Sequence, residues 1–224
     1  MTLQQAAEYM HRIPVEYEGA GLILNSTLQS RGLSKRQEAT FQIGILPEIM
    51  DDVPPMYSSL KGRVTFPIQD PWGSTVSIEG RDYTDDGRTK YWHIPFDLSS
   101  YVYNLHRAKR RMSETNKCFV CESFFDVFAF HALGIENCVS LMGPNLHEKQ
   151  AVLLSRYADT FFLFHHLDAP GLKGFTAATE TLKELGLNSH IVTLKSTSGC
   201  NDVNDFLIKD TKTLLDIIAT IQSM

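Results

Sequence analysis

The sequence predicts an α/β protein: a mainly parallel sheet flanked by helices in the second half, preceded by a small mixed α+β subdomain. Three observations carry this. Residues 117–207 alternate short apolar runs with helix-length amphipathic stretches, the pattern of βαβ units. Residues 1–112 differ in texture, being interrupted by Pro14, Pro47, Pro54, Pro55, Pro67, Pro71 and Pro95. The chain has 224 residues, 43% hydrophobic and 21% charged, which supports a sizeable core and excludes a disordered or fibrous chain.

The second half parses element by element. KCFVCE (117–122) is an apolar run with polar ends and reads as a buried strand. SFFDVFAFHALG follows at helical period, with Gly134 where a helix C-cap belongs. NCVSLM (137–142) is a second strand and NLHEKQAVLLSRYA a helix. TFFLFHH (160–166) is a third strand, LKGFTAATETLKELG a helix ending at Gly186, and SHIVTLK (189–195) a fourth strand. From Asn204 to the end the chain reads as helix with one break. The basic, polar stretch HRAKRRMSETNK, from His106 to Lys117, reads as the connection between two subdomains, 1–112 and 113–224.

Composition narrows the function classes. No apolar run approaches the roughly 20 residues of a membrane helix. MTLQQAAEYMHRIPVEYEG has neither a cationic start nor an apolar stretch, so no secretory signal is expected. The net charge of −5 excludes nucleic-acid binding by bulk charge, so any such role needs a local patch. Four cysteines in a chain of this length imply a reducing, cytoplasmic setting. Cys118 and Cys121 form a CxxC within one strand, where residues three apart point to opposite faces, so core packing is expected. Phe124, Phe125, Phe128 and Phe130 read as helix packing.

In an open parallel sheet, function sits at the carboxyl ends of the strands. The first strand ends in Glu122, with Asp126 in the first turn of the next helix. The third ends in His165 and His166, with Asp168 just beyond. The loop after the fourth holds Asp202, Asn204 and Asp205. Any one of these acids alone reads as a cap or a solvated charge. Acids at three strand ends meeting on one sheet edge suit Mg²⁺ or Mn²⁺, hard cations that prefer oxygen.

These motifs resemble the TOPRIM fold, the catalytic domain shared by DnaG-type primases, topoisomerases and some nucleases. ESFFDV (122–127) is similar to its Glu-Gly-x-x-Asp motif, HLDAPG (166–171) to its Asp-x-Asp turn, and NDVNDFL (201–207) to a Lys-Asp-x-Asn-Asp-x-Leu ending. The first half resembles primases in particular. QSRGLSKRQEATFQIGILPE (29–48) matches the start of the primase RNA-polymerase core. The run from Arg63 to Asp70, with Gly80–Arg81 and Lys90–Tyr91, is the strongest likeness. The resemblance spans residues 18–207 and looks like a minimal core of phage or mobile-element type.

The resemblance implies a DNA primase catalytic core: template-directed synthesis of short RNA primers from ribonucleoside triphosphates by metal-dependent nucleotidyl transfer in DNA replication. It implies a TOPRIM catalytic domain over 113–224 and a template- and nucleotide-binding subdomain over 1–112. Glu122, Asp126 and Asp168 are then catalytic. Glu122, His166, Asp168, Asp202, Asn204 and Asp205 hold metal, as two Mg²⁺ or Mn²⁺ ions. Arg31, Arg81, Lys90 and Tyr91 hold nucleotide or single-stranded DNA template. The chain offers no room for the family's zinc-binding and helicase-binding domains, so separate partners are implied, in the cytoplasm of a bacterial host if the chain is phage-encoded. The departures are His166 for the leading Asp of Asp-x-Asp, Ser123 for Gly, Asn201 for a basic residue, and Leu98 for a lysine. They point to a weakened, manganese-dependent or silent core. The alternatives are a catalytically impaired TOPRIM protein that binds DNA or a replication partner, and a TOPRIM nuclease; Lys90–Tyr91 argues against the nuclease.

Overall fold

A computed structural model describes residues 1–16, 18–50, 53–84, 87–165, 169–194 and 199–224. The described chain divides into two compact units, Met1–Phe96 and Asp97–Met224.

The first unit opens with helices α1 (Leu3–Glu16) and α2 (Glu18–Ser30), followed by α3 (Lys35–Phe41). The sequence reading leaves this stretch irregular; Pro14 and two closely spaced glycines mask its helical period. The period is nevertheless present. Ala6, Ala7, Met10 and Ile13 line one side of α1 and are buried. They pack with Ile45, Leu46, Tyr57, Leu60, Ile78 and Ile94. Ser34 closes a capping box with Gln37 at the start of α3. Four antiparallel strands follow in the order β1 (Gly44–Leu46), β2 (Arg63–Gln69), β3 (Thr75–Asp82), β4 (Tyr91–His93). At Gly44 the backbone of α1 passes so close that a Cβ would lie 2.6 Å from the Met10 carbonyl carbon.

The second unit contains helix α4 (Leu105–Thr115), then β5 (Lys117–Cys121), α5 (Phe124–Ala132), β6 (Cys138–Ser140), α6 (Glu148–Leu154), β7 (Thr160–Phe164), α7 (Ala169–Glu184), β8 (Asn188–Val192), α8 (Val203–Lys209) and α9 (Thr211–Ser223). Its sheet is parallel, in the order β6-β5-β7-β8. The expected strand–helix alternation is thus present, and Asp210 is the expected break in the terminal helix. Phe119, Phe130, Phe162 and Phe164 pack in the core, in edge-to-face, tilted and stacked pairs, with ring centroids 4.9–5.7 Å apart.

The two units divide at Phe96/Asp97, not at residue 112. The basic stretch expected to be a connection is instead α4. Leu105, Ala108 and Met112, spaced three and four apart, bury one stripe of it in the second core. Upstream, Gln150 donates to the carbonyls of Leu98 (3.2 Å) and Tyr101 (2.7 Å), and Lys149 pairs with Asp97 at 2.9 Å. Tyr103 bridges to Ser140 on the edge strand β6. The charged and polar residues between Leu105, Ala108 and Met112 hid that stripe in the sequence.

All four cysteines are free and buried, and burial pushes the thiols of Cys118, Cys121 and Cys138 well up. The CxxC is core, as expected.

Candidate functional site

The sheet order fixes where a site can form. From β5 the chain crosses to β6 on one side, while β7 lies on the other. The loops leaving β5 and β7 therefore diverge, and the crevice between them is the expected ligand position. Glu122 directly follows β5, with its side chain largely buried at the strand end. His165 directly follows β7 and is also buried. His166 and Asp168 lie outside the described residues.

Asp126 occupies the third position of α5 and is fully buried. Its Oδ2 accepts from Ser123 Oγ (2.8 Å) and from the Ser123 backbone N–H (3.2 Å). Ser123 Oγ in turn accepts the Asp126 N–H at 3.3 Å, completing a capping box. The serine that replaces the family-like glycine therefore has a structural use. Asp126 Oδ1 accepts the N–H of Asn204 at 3.2 Å, near the N-terminus of α8 and 78 residues along the chain. One carboxylate thus engages the first turns of two helices, where exposed N–H groups and the helix dipoles favour negative charge.

This tie brings the acidic loop to the strand edge. Asp202 caps α8, its Oδ1 accepting the Asp205 N–H at 2.6 Å. Asp205 Oδ2 accepts the Asn201 N–H at 3.0 Å, and Oδ1 lies 3.4 Å from Lys209 Nζ. Asn204 is fully buried. The structure therefore assembles Asp126, Asp202, Asn204 and Asp205 at neighbouring helix starts, with Glu122 four residues before Asp126. The donors are oxygen-rich and suit a hard cation. Among the described residues, no group of three or more His, Cys, Asp or Glu side chains is already gathered as a metal cage.

Two residues that the sequence reading passed over hold Glu122 in place. Ser140 Oγ donates to the Glu122 carbonyl at 2.9 Å and accepts the Met142 N–H at 2.9 Å. The Gly143 N–H donates to the same carbonyl at 3.0 Å. Met142 adopts φ 61°, a left-handed conformation unfavourable for a side-chain-bearing residue. The only sequence signal was a hydroxyl at a strand end.

In the first unit, Arg31 and Arg81 line a polar cleft of about 250 Å³ with Ser26, Thr27, Ser30 and Tyr83. Two guanidiniums facing helix hydroxyls match phosphate chemistry. Arg81 Nη1 donates to Tyr91 Oη at 2.6 Å and its guanidinium lies 5.4 Å from the Tyr91 ring, with Lys90 Nζ at 5.9 Å. Burial pushes the Tyr91 phenol up, and Arg81 opposes it. Arg31 and Arg81 thus share one cleft, and Arg81, Lys90 and Tyr91 lie against one another. Arg63 sets this arrangement. It is buried, and it donates to the carbonyls of Ser59 (Nε, 3.0 Å) and Thr89 (Nη1, 3.0 Å). A Cβ at Gly80 would meet Arg63 Cδ at 2.6 Å, so glycine there makes room for that side chain. Glu79 shares the face of Arg81, opposite His93, and burial pushes its carboxyl up to about 8.

The basic run on α4 forms a separate cleft in the second unit. Arg110 and Arg111 both pair with Glu114, at 2.9 and 3.2 Å. Leu98 begins a short 3-10 turn and accepts from Gln150 through its carbonyl.

Comparison with known proteins identifies the fold. The Toprim-like family matches residues 119–207. A DNA primase of Enterococcus faecalis is 27% identical over 220 residues, covering 83% of this chain and 34% of the relative. A DnaG catalytic core superimposes with a TM-score of 0.83 at 21% identity, covering 97% of this chain and 78% of that one. A DnaG primase catalytic domain bound to single-stranded DNA gives a TM-score of 0.76 at 22% identity, covering 97% and 79%. The chain spans about a third of the length of the curated primases it matches. Among the described residues, no helix is long and apolar enough to cross a membrane. The chain thus has the fold of the DnaG-type primase catalytic core, with primases as its relatives and a Toprim-like domain in residues 119–207.

Proposed function

We propose that the chain is the catalytic core of a DNA primase, making short RNA primers on single-stranded DNA from ribonucleoside triphosphates. The observation that carries the reading is the acid-bearing edge of the second unit, where Asp126 ties the start of α8 to the strand end that presents Glu122.

In this reading the second unit does the chemistry. Primer extension joins the α-phosphate of a nucleoside triphosphate to a 3′-hydroxyl, and pyrophosphate leaves. Glu122 orients that hydroxyl and receives its proton. Asp168 and Asp202, with Glu122, Asn204 or Asp205, would hold Mg²⁺ or Mn²⁺, as two ions, through their oxygens, with His166 as an added imidazole. A bound ion there would supply charge neutralisation at the reacting phosphate and make the hydroxyl more acidic. Asp126 is a positioning residue, because its carboxylate is engaged by Ser123 and Asn204.

The first unit holds the strand. Arg31 and Arg81 neutralise backbone phosphates in their cleft, and Lys90 and Tyr91 extend that surface. Such contacts fix position without reading bases, which suits an enzyme that copies many sequences. A zinc-binding or helicase partner supplies template choice, and the setting is the cytoplasm.

The test is mutational. Glu122→Gln and Asp168→Asn should each abolish labelled primer synthesis while circular dichroism stays that of the wild type. Wild-type synthesis by both variants would refute the assignment.

A further inference from the structure

The turn between β2 and β3 carries a tryptophan outside both sites. Trp72 is 83% exposed, at the tip of the sequence Asp70-Pro71-Trp72-Gly73-Ser74. An exposed indole on a loose loop would mean little, but this turn is well pinned. Asp70 Oδ1 accepts the N–H groups of Trp72 and Ser74, each at 2.9 Å. The Asp70 N–H donates to the Ser74 carbonyl at 2.9 Å, and Gly73 N–H to the Asp70 carbonyl at 3.0 Å. Gly73 has φ 95°, which a side chain would resist. Gln69 Nε2 donates to the Gly73 carbonyl at 3.2 Å. The backbone beneath the ring is fixed before any ligand arrives, so little ordering is left to oppose binding.

The surroundings favour one kind of ligand. The turn carries Asp70, Pro71, Gly73 and Ser74 beside Trp72 in the chain, and Thr75 at its foot bonds Gln4. A protein-docking tryptophan is set among packed apolar neighbours that exclude water. An exposed ring on a pinned turn suits the flat face of a base, which needs stacking and little else. The same sheet carries the phosphate-type cleft. β3 runs from Thr75 beside the tip to Arg81, six residue steps or roughly 20 Å of antiparallel strand. A strand held by its phosphates at Arg31 and Arg81 and continuing along this unit would have a base within reach of the tip.

We propose that Trp72 is a stacking platform for an unpaired base of single-stranded nucleic acid held in the Arg31–Arg81 cleft. This rests on the reading of the chain as a core that binds a single-stranded template. The platform adds affinity without adding charge, and that distinguishes it from the arginines.

The test uses the full chain and a fluorophore-labelled oligothymidylate. Trp72 and Trp92 are the two tryptophans, so a Trp92→Phe background makes Trp72 the sole emitter. Saturating oligonucleotide should quench its emission. Trp72→Ala should weaken binding about tenfold, Trp72→Phe should recover most of that loss, and the salt dependence should keep the wild-type slope. Arg81→Ala should lower that slope by about one. Unquenched emission with an unchanged Kd in Trp72→Ala overturns the platform. If Arg81→Ala still weakens binding, only the platform falls. If the wild type does not bind the oligonucleotide at all, the template reading falls with it.

Discussion

The carboxylate of Asp126 accepts the backbone N–H of Asn204 at 3.2 Å while closing a capping box with Ser123. This one hydrogen bond joins the helix after β5 to the helix that carries Asp202 and Asp205. The two acid-bearing segments are 78 residues apart in the chain, and the buried Asp126 carboxyl is met there by N–H and O–H donors.

Asp126 and Glu122 should therefore respond differently to substitution. Asp126→Ala removes the acceptor for Asn204 and Ser123 and leaves buried donors unpaired, at a cost of about 3 kcal/mol. Glu122→Gln keeps the size and shape of the side chain, so it should cost less stability than Asp126→Ala while abolishing activity. Urea unfolding with a parallel activity assay separates the two. Equal stability losses would place both residues in the same structural role.

Ser140 and Met142 give a second pair of expectations. Ser140→Ala leaves the Met142 N–H and the Glu122 carbonyl each short of a partner, and should cost about 1–3 kcal/mol. Met142→Gly relieves the left-handed conformation and should stabilise by up to about 1 kcal/mol. Thermal unfolding of the two variants reads both signs. A destabilised Met142→Gly would show that the methionine side chain contributes more than its backbone strain costs.

Glu79 predicts a pH dependence of stability. Burial raises its folded-state pKa from 4.5 to about 8, so the neutral acid is the form the fold prefers. The contribution is complete below the ordinary carboxyl pKa and is lost as pH rises towards 8. Stability should fall by on the order of 3 kcal/mol between pH 5 and 7.5, less where the neighbouring Arg81 and His93 adjust. Glu79→Gln should flatten that profile and be the more stable protein at pH 8. Superimposable profiles for the two would show that Glu79 titrates normally.

His166 bears on metal choice. The family-like position is an aspartate, and imidazole suits Mn²⁺ better than Mg²⁺. His166→Asp should raise Mg²⁺-supported synthesis relative to Mn²⁺-supported synthesis. An unchanged ratio would shift attention to Leu98.

Much of the second unit was legible because its strands are uninterrupted apolar runs. KCFVC and TFFLF, buried on both faces, admit few other readings. The first unit was less so. In α1, Pro14 and the neighbouring Gly19 and Gly21 obscure a regular spacing of Ala6, Met10 and Ile13. In α4, charge conceals Leu105, Ala108 and Met112, so a helix read as a connection. The acids were findable from their positions at strand ends. What the sequence could not express was which of them are already engaged. Asp126 looks the same as a ligand or as a cap, and only its bonds to Ser123 and Asn204 distinguish the two. Arg63 and Ser140 act through backbone carbonyls, and backbone partners leave no trace in a list of side chains.

The most direct test of the account is primer synthesis on mixed single-stranded templates with labelled ribonucleotides, run separately in Mg²⁺ and Mn²⁺. Glu122→Gln serves as the control. Short RNA products are expected from the wild type, favoured by Mn²⁺ and absent from the control. Products of equal yield from the wild type and Glu122→Gln, or none from a wild type that binds the template in both metals, would contradict it.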